Sequence, residues 1–91
     1  MKRENVDRLF MRADLPGEIP PGWSLIEILD NRRVLIENQS GVNSYDPSNI
    51  QVKVKQGTIS VVGENLEIRQ ISRVQLVITG TIHGVSLLEW R

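Results

Sequence analysis

Hydrophobic and polar residues alternate through the middle of the chain, over residues 49–68, NIQVKVKQGTISVVGENLEI. In its first part Ile50, Val52 and Val54 share one side, and polar residues fill the positions between them. A period of two is typical of a β-strand with one buried face and one wet face. Polar breaks at 56–57 and 63–65 divide the stretch into three short runs. This pattern predicts an antiparallel meander with tight turns.

Further runs of this kind lie on both sides of the meander. Residues 24–29 and 33–37 predict a hairpin, because Asp30 and Asn31 tolerate the positive φ angles of a tight turn. A turn at 38–41 and a short strand at 42–45 follow. Strands are then expected at 71–79, with Val74 inward, and at 81–90, with a bulge or sharp bend at Gly80 and Gly84.

These runs predict an all-β domain over residues 24–91, a small antiparallel meander of about seven or eight short strands that forms a sandwich or an open barrel. One alternative remains open. The tripeptide Gly57-Thr58-Ile59 recurs as Gly80-Thr81-Ile82, a spacing typical of repeats, which would suit a short β-solenoid.

The first hairpin carries apolar residues on both faces. A short turn places Ile26 and Ile28 on the side of Val34 and Ile36. The opposite side then carries the leucines Leu25, Leu29 and Leu35. An apolar face of this size predicts a cover, either the N-terminal segment or a second copy of the chain. The candidate interface therefore consists of Leu25, Leu29, Leu35 and Trp90. Trp90 and Trp23 either cap the core or anchor a protein interface.

Residues 1–15 give the helical signal, because Val6, Leu9, Phe10 and Ala13 follow the spacing of one helix face. The helix either docks on the sheet or contacts anionic lipid or a partner through Phe10, Arg8 and Arg12. Residues 16–23, PGEIPPGW, predict a linker, since proline and glycine stop the helix.

Composition narrows the class of protein. The 91 residues are enough for one core, and 11 basic and 11 acidic side chains cancel, which argues against a nucleic-acid partner. The chain has no cysteine, no apolar run that could span a bilayer and no apolar signal-peptide core. We therefore expect a soluble, cytoplasmic protein whose contact with a membrane, if any, is peripheral.

Candidate chemistry is sparse. His83 is the one histidine, and the sequence pairs no nucleophile or metal-ligand cluster with it. The glycines are scattered singly, so no phosphate loop is predicted. We expect no catalytic residue, no metal and no cofactor. A small enzyme or ligand binder remains an open alternative, and it would require a pocket of a few hundred cubic ångströms.

The run VLIENQSGV at 34–42 resembles the IEN-H-x-G signature of the YabP/YqfC family of sporulation proteins. Glu37, Asn38 and Gly41 match this motif, and we expect them to form a turn. The likeness extends over roughly residues 14–88, through the runs at 55–66 and 77–85. Gln39 stands where the family has histidine, and Asp30-Asn31 where it has a turn glycine.

The resemblance implies a small non-enzymatic protein of spore-forming Firmicutes that takes part in coat or envelope assembly. It implies a place in the mother cell, near the membranes around the forespore. The expected partners are proteins, including a second copy of the chain and a sporulation membrane protein. The alternative is a peripheral membrane adaptor that uses the basic N-terminal helix.

Overall fold

A computed structural model describes residues 20–91 of the chain, and these residues form an all-β domain of six antiparallel strands without a helix. The all-β prediction is confirmed, whereas the N-terminal helix at 1–15 lies outside the described residues. Residues 20–23 form a turn in which the Trp23 N–H donates to the Pro20 carbonyl at 3.1 Å. The strands are β1 (Leu25–Leu29), β2 (Arg33–Glu37), β3 (Gln39–Asp46), β4 (Asn49–Val54), β5 (Thr58–Ile71) and β6 (Gln75–Leu88).

The six strands form one sheet in the order β1-β2-β6-β5-β4-β3, and every neighbouring pair is antiparallel. Coils of a β-solenoid stack their strands in parallel, so the solenoid alternative is wrong. The sheet is open, because β1 and β3 stand at its two ends and do not pair with each other within residues 20–91.

The number of strands differs from the expected seven or eight, because β5 and β6 each join two of the predicted runs. The expected turn at 63–65 is a bulged bend inside β5, where the register with β6 shifts. Gly63 and Gly80 permit this bend. A Cβ atom added at Gly80 would lie 2.7 Å from the Asn65 carbonyl oxygen, and one at Gly63 would clash with the Thr81 carbonyl.

A single residue, Asn38, carries the chain from β2 to β3. These strands are four places apart in the sheet, roughly 19 Å if the sheet were flat. The chain from Glu37 to Gln39 spans at most about 7 Å. The sheet must therefore curl until its two halves face each other. Two contacts agree with this shape: Gln39 Nε2 donates to the Ser72 carbonyl at 3.0 Å, and the Ile68 N–H donates to the Tyr45 hydroxyl at 3.4 Å.

The core fills the space between the facing halves of the sheet. Its residues come from β2, β4, β5 and β6, and most alternate along their strands as the sequence predicts. Burial of one such aliphatic side chain contributes about 1.5–3 kcal/mol. The buried apolar residues are Val34, Ile36, Ile50, Val52, Val54, Ile59, Val61, Leu66, Leu76, Ile78 and Ile82.

Two expected elements around β3 and β6 are placed differently. The expected turn at 38–41 is mostly strand, because β3 already begins at Gln39 and absorbs two bulges, which explains its poor alternation. Val74, expected inward, is 55% exposed, because β6 begins only at Gln75. Val74 instead belongs to the β5–β6 turn, which the Ser72 N–H closes by donating to the Gln75 carbonyl at 2.8 Å.

Candidate protein-interaction surface

The register of β1 and β2 determines which side chains share the outer face of the sheet. Leu25 lies opposite Glu37, Glu27 opposite Leu35, and Leu29 opposite Arg33. Residues that are directly opposite in an antiparallel pair point to the same side. Since Val34 and Ile36 point into the core, the three predicted leucines point away from it.

One further residue of this surface was missed by the sequence analysis. Val77 of β6 lies directly opposite Leu35 on the other side of β2 and is half-buried. Val77 joins this surface because β2 pairs with β6, a strand distant in the sequence. The alternation of apolar and polar residues does not show which strands pair. Leu25 and Leu29 are the diagonal neighbours of Leu35 on β1, within reach of its side chain. We call Leu25, Leu29, Leu35 and Val77 the leucine face.

The leucine face is partly open to solvent. Leu29 is 50% exposed, while Leu25 and Leu35 are half-buried among their neighbours. Charged residues border it, with Glu27 and Arg33 exposed beside Leu29 and Leu35. An apolar surface with a polar rim is typical of a protein-binding site.

β1 also leaves one strand edge without a partner in the described part of the chain. Ile26 packs against the core, but Ile28, which points to the same side, is 55% exposed because no strand lies beyond β1. The pairing of β1 with β2 is regular over its whole length. By contrast, the β3 edge has two register shifts, and such bulges twist an edge away from further pairing.

Asn38 of the family motif forms the passage from β2 to β3, and Glu37 and Gly41 lie in the strands on either side of it. Asn38 has a φ of 65°, and its Nδ2 donates to the Trp23 carbonyl at 2.6 Å, which fastens the chain before β1 to this passage. Glu37, expected in a turn, is the last residue of β2 and accepts a hydrogen bond from Gln75 Nε2 at 3.2 Å. Gly41 lies at the first bulge of β3.

The remaining predicted positions lie apart from the leucine face. Trp90 is 39% exposed and packs near Gly57, at the β4–β5 turn. Arg8, Phe10 and Arg12 lie outside the described residues. His83 Nε2 lies 3.2 Å from a Glu64 carboxylate oxygen, and both side chains are largely exposed. Within residues 20–91 no group of three or more His, Cys, Asp or Glu side chains forms a metal-binding cluster.

An open cleft of about 430 Å³ lies at the bend of β6. Its volume is of the size that a small enzyme or ligand binder would require. Its lining offers guanidinium, hydroxyl and amide groups and lacks the carboxylate or imidazole of a general base. The lining residues are Leu29, Arg32, Arg33, Asn65, Thr79, Gly80 and Thr81.

Hydrogen bonds at the β3–β4 turn lower the pKa of Asp46. At the β3–β4 turn Asp46 Oδ1 accepts from the Ser48 hydroxyl at 2.6 Å and from the Ser48 N–H at 2.8 Å. These bonds favour the ionised carboxylate, so they lower the pKa of Asp46, the side-chain bond most. The group is fully exposed and far along the chain from the leucine face, so we assign it a role in the turn.

Comparison with known proteins identifies the family of this chain. No helix in residues 20–91 has the length and apolar character of a membrane span. No curated protein matches the chain. The model of the YabP family matches residues 23–91, which is most of the chain and includes all six strands. The match indicates a sporulation-related protein, and the chain belongs to the YabP family.

Proposed function

We infer that this chain is a non-enzymatic sporulation protein that acts in spore envelope or coat assembly through protein–protein contacts. The observation that carries this proposal is the leucine face, where an aliphatic cluster with a charged rim lies on the outer side of the sheet. The family match supplies the link to sporulation. Its partners would be sporulation proteins in the mother-cell cytoplasm, including one at the membrane around the forespore.

The composition of the surface supports binding over chemistry. The cleft at the β6 bend lacks a general base, and His83 pairs with an exposed carboxylate on a wet surface. The His83 and Glu64 side chains are both largely exposed, so this pair does not lie in an enclosed pocket. This surface would bind a neighbouring protein mainly through the burial of apolar area.

Replacement of a leucine on the proposed surface tests the function. Leu29→Gln removes exposed apolar area from the leucine face, and Leu87→Gln removes a similar area from β6, since the two leucines are 50% and 52% exposed. In a spore-forming host that carries the variant in place of its own copy, we expect Leu29→Gln to lower the yield of heat-resistant spores and Leu87→Gln to leave it unchanged.

Thermal unfolding of the purified variants provides the stability control, because equal midpoints exclude a folding defect as the cause. Equal spore yields for both variants, with both proteins folded, would contradict a role for the leucine face. Heat resistance measures spore assembly as a whole, so the same strains should also be examined for the position of a fluorescent fusion around the forespore.

A second candidate is a peripheral membrane adaptor, and the sequence pattern of residues 1–15 favours it. Arg8 and Arg12 would approach anionic headgroups while Phe10 enters the interface. Flotation of the full chain with anionic and neutral vesicles tests this function. We expect co-flotation with the anionic vesicles that the double change Arg8→Glu and Arg12→Glu abolishes. No flotation of the native chain would rule the adaptor out.

A further inference from the structure

β1 is a strand edge suited to accept another strand. Its outward backbone groups have no partner in the described part of the chain, and its pairing with β2 has no bulge. The strand has neither lysine nor proline, the residues that commonly protect an edge. Glu27 is its one charge, and the other four residues are aliphatic. Such an edge favours main-chain pairing with a strand of similar character.

The sequence of β1 indicates which strand would fit. LIEIL reads the same in both directions, so two copies can pair antiparallel about a two-fold axis at Glu27. Leu25 then lies opposite Leu29 of the second copy, and Ile26 lies opposite Ile28 of the second copy. All opposite residues point to the same side, so inner faces continue into inner faces. We propose that two copies of this chain join through their β1 strands in this register.

The exposure of β1 agrees with this partner. Ile28 and Leu29 are 55% and 50% exposed, and in the proposed pair each meets an aliphatic residue of the second copy. Since Ile26 already packs against the core, the pair of Ile26 and Ile28 extends the two cores towards each other. The half-open edge of β6 at Gly84–Leu88 lacks this symmetry, because pairing about Ser86 would set glycine against leucine.

Charge keeps the pair weak. The two Glu27 carboxylates lie directly opposite each other, and like charges at such positions oppose pairing. Arg33 of each copy is a diagonal neighbour of its own Glu27 and has no ion pair within residues 20–91, so the two guanidinium groups offset only part of this repulsion. An interface of five residues from each copy buries less surface than a standard interface, which buries about 800 Å² per partner. We therefore expect a transient dimer.

This inference rests on the proposed role in protein contacts, and trapping by disulfide tests it directly. The chain has no cysteine, so a single introduced one reports only its own position. Directly opposite Cα atoms are about 4.5–5.5 Å apart, within the range that a disulfide requires. Under mild oxidation Glu27→Cys should form a covalent dimer about tenfold faster than Ser44→Cys on β3 or Ser86→Cys on β6.

The register has its own test. A mixture of Leu25→Cys and Leu29→Cys chains should give the mixed disulfide, whereas either variant alone should give no more dimer than the controls. Equal rates at all positions, no dimer from Glu27→Cys, or no mixed disulfide would overturn the proposal. Without cysteine, Glu27→Gln should dimerise at lower concentration than the native chain in sedimentation, and the added change Ile28→Lys should reverse that gain.

The two proposals can fail separately. If no disulfide forms while Leu29→Gln still lowers the spore yield, self-pairing is wrong and the proposed function stands. If the disulfide forms in the stated register while Leu29→Gln leaves spores unchanged, self-pairing is right and the proposed function is wrong.

Discussion

Gly80 shows at the scale of one residue how tightly the bent strands approach each other. Its φ of 140° lies in a region that residues with a Cβ rarely adopt, and the Asn65 carbonyl occupies the space where a side chain would begin. Both features require glycine. The nearby Gly84 differs, since a Cβ added there would meet nothing within 4 Å.

We expect Gly80→Ala to lower the free energy of unfolding by about 2–5 kcal/mol, from backbone strain together with displacement of the β5 bulge. Gly84→Ala is the control in the same strand and should change the free energy by less than about 1 kcal/mol. Urea unfolding followed by tryptophan fluorescence measures both. Similar losses for the two variants would mean that the close approach at Gly80 is unimportant.

Asp46 gives a prediction about protonation at a single turn. Ser48→Ala removes the shorter of the two bonds that lower its pKa, so the pKa of Asp46 should rise towards its ordinary value. A lowered pKa in the folded state adds stability above the unfolded pKa, and that stability is lost as the pH falls through the folded pKa. NMR titration of the Asp46 carboxyl carbon checks the direction, and an unchanged titration would contradict the assignment.

Single strands are the scale at which the sequence was most informative. Alternation in β4 and in the first part of β5 correctly predicts the buried side of Ile50, Val52, Val54, Ile59 and Val61. A period of two depends on the strand alone, so no distant partner is needed to infer it. The continuity of β5 was not predicted, because a polar break looks the same whether the chain reverses there or only bends. In β6, by contrast, the bend expected at Gly80 and Gly84 does lie inside one strand.

A comparison of two isoleucines measures what the inward side of a strand contributes. Ile78 of β6 is fully buried, and Ile71 of β5 is 57% exposed. We expect Ile78→Ala to cost about 2–5 kcal/mol of unfolding free energy, and Ile71→Ala to cost within about 0.5 kcal/mol. Chemical denaturation of the two variants decides this, and a loss at Ile71 equal to that at Ile78 would point to a contact that residues 20–91 do not show.

The candidate surface was predicted only in part, because one of its residues joins it through a strand that is distant in the sequence. The three leucines follow from the hairpin, whose register is local, but Val77 joins them through pairing between strands about forty residues apart in sequence. The exposed Ile28 could not be foreseen either. Its side of the strand was right, but its exposure follows from the place of β1 at the end of the sheet.

At the scale of the whole molecule, the one-residue passage at Asn38 makes the sheet curl. Asn38→Gly keeps a residue that tolerates positive φ but removes the hydrogen bond to the Trp23 carbonyl, for which we expect a loss of about 0.5–1.5 kcal/mol. Asn38→Val should cost more, since a β-branched residue is strained there. Thermal unfolding ranks the three proteins, and a valine variant as stable as the native chain would contradict this account.

Because β5 and β6 run through both halves of the sheet, neither half has strands of its own that suffice for a fold. A protease cut in either long strand should therefore unfold both halves of the sheet together. Fragments that end at the bend should not fold on their own. Calorimetry of residues 20–91 should accordingly give one sharp peak, with equal calorimetric and van't Hoff enthalpies. If the proposed function is right, assembly of the spore would use this unit only in its fully folded form.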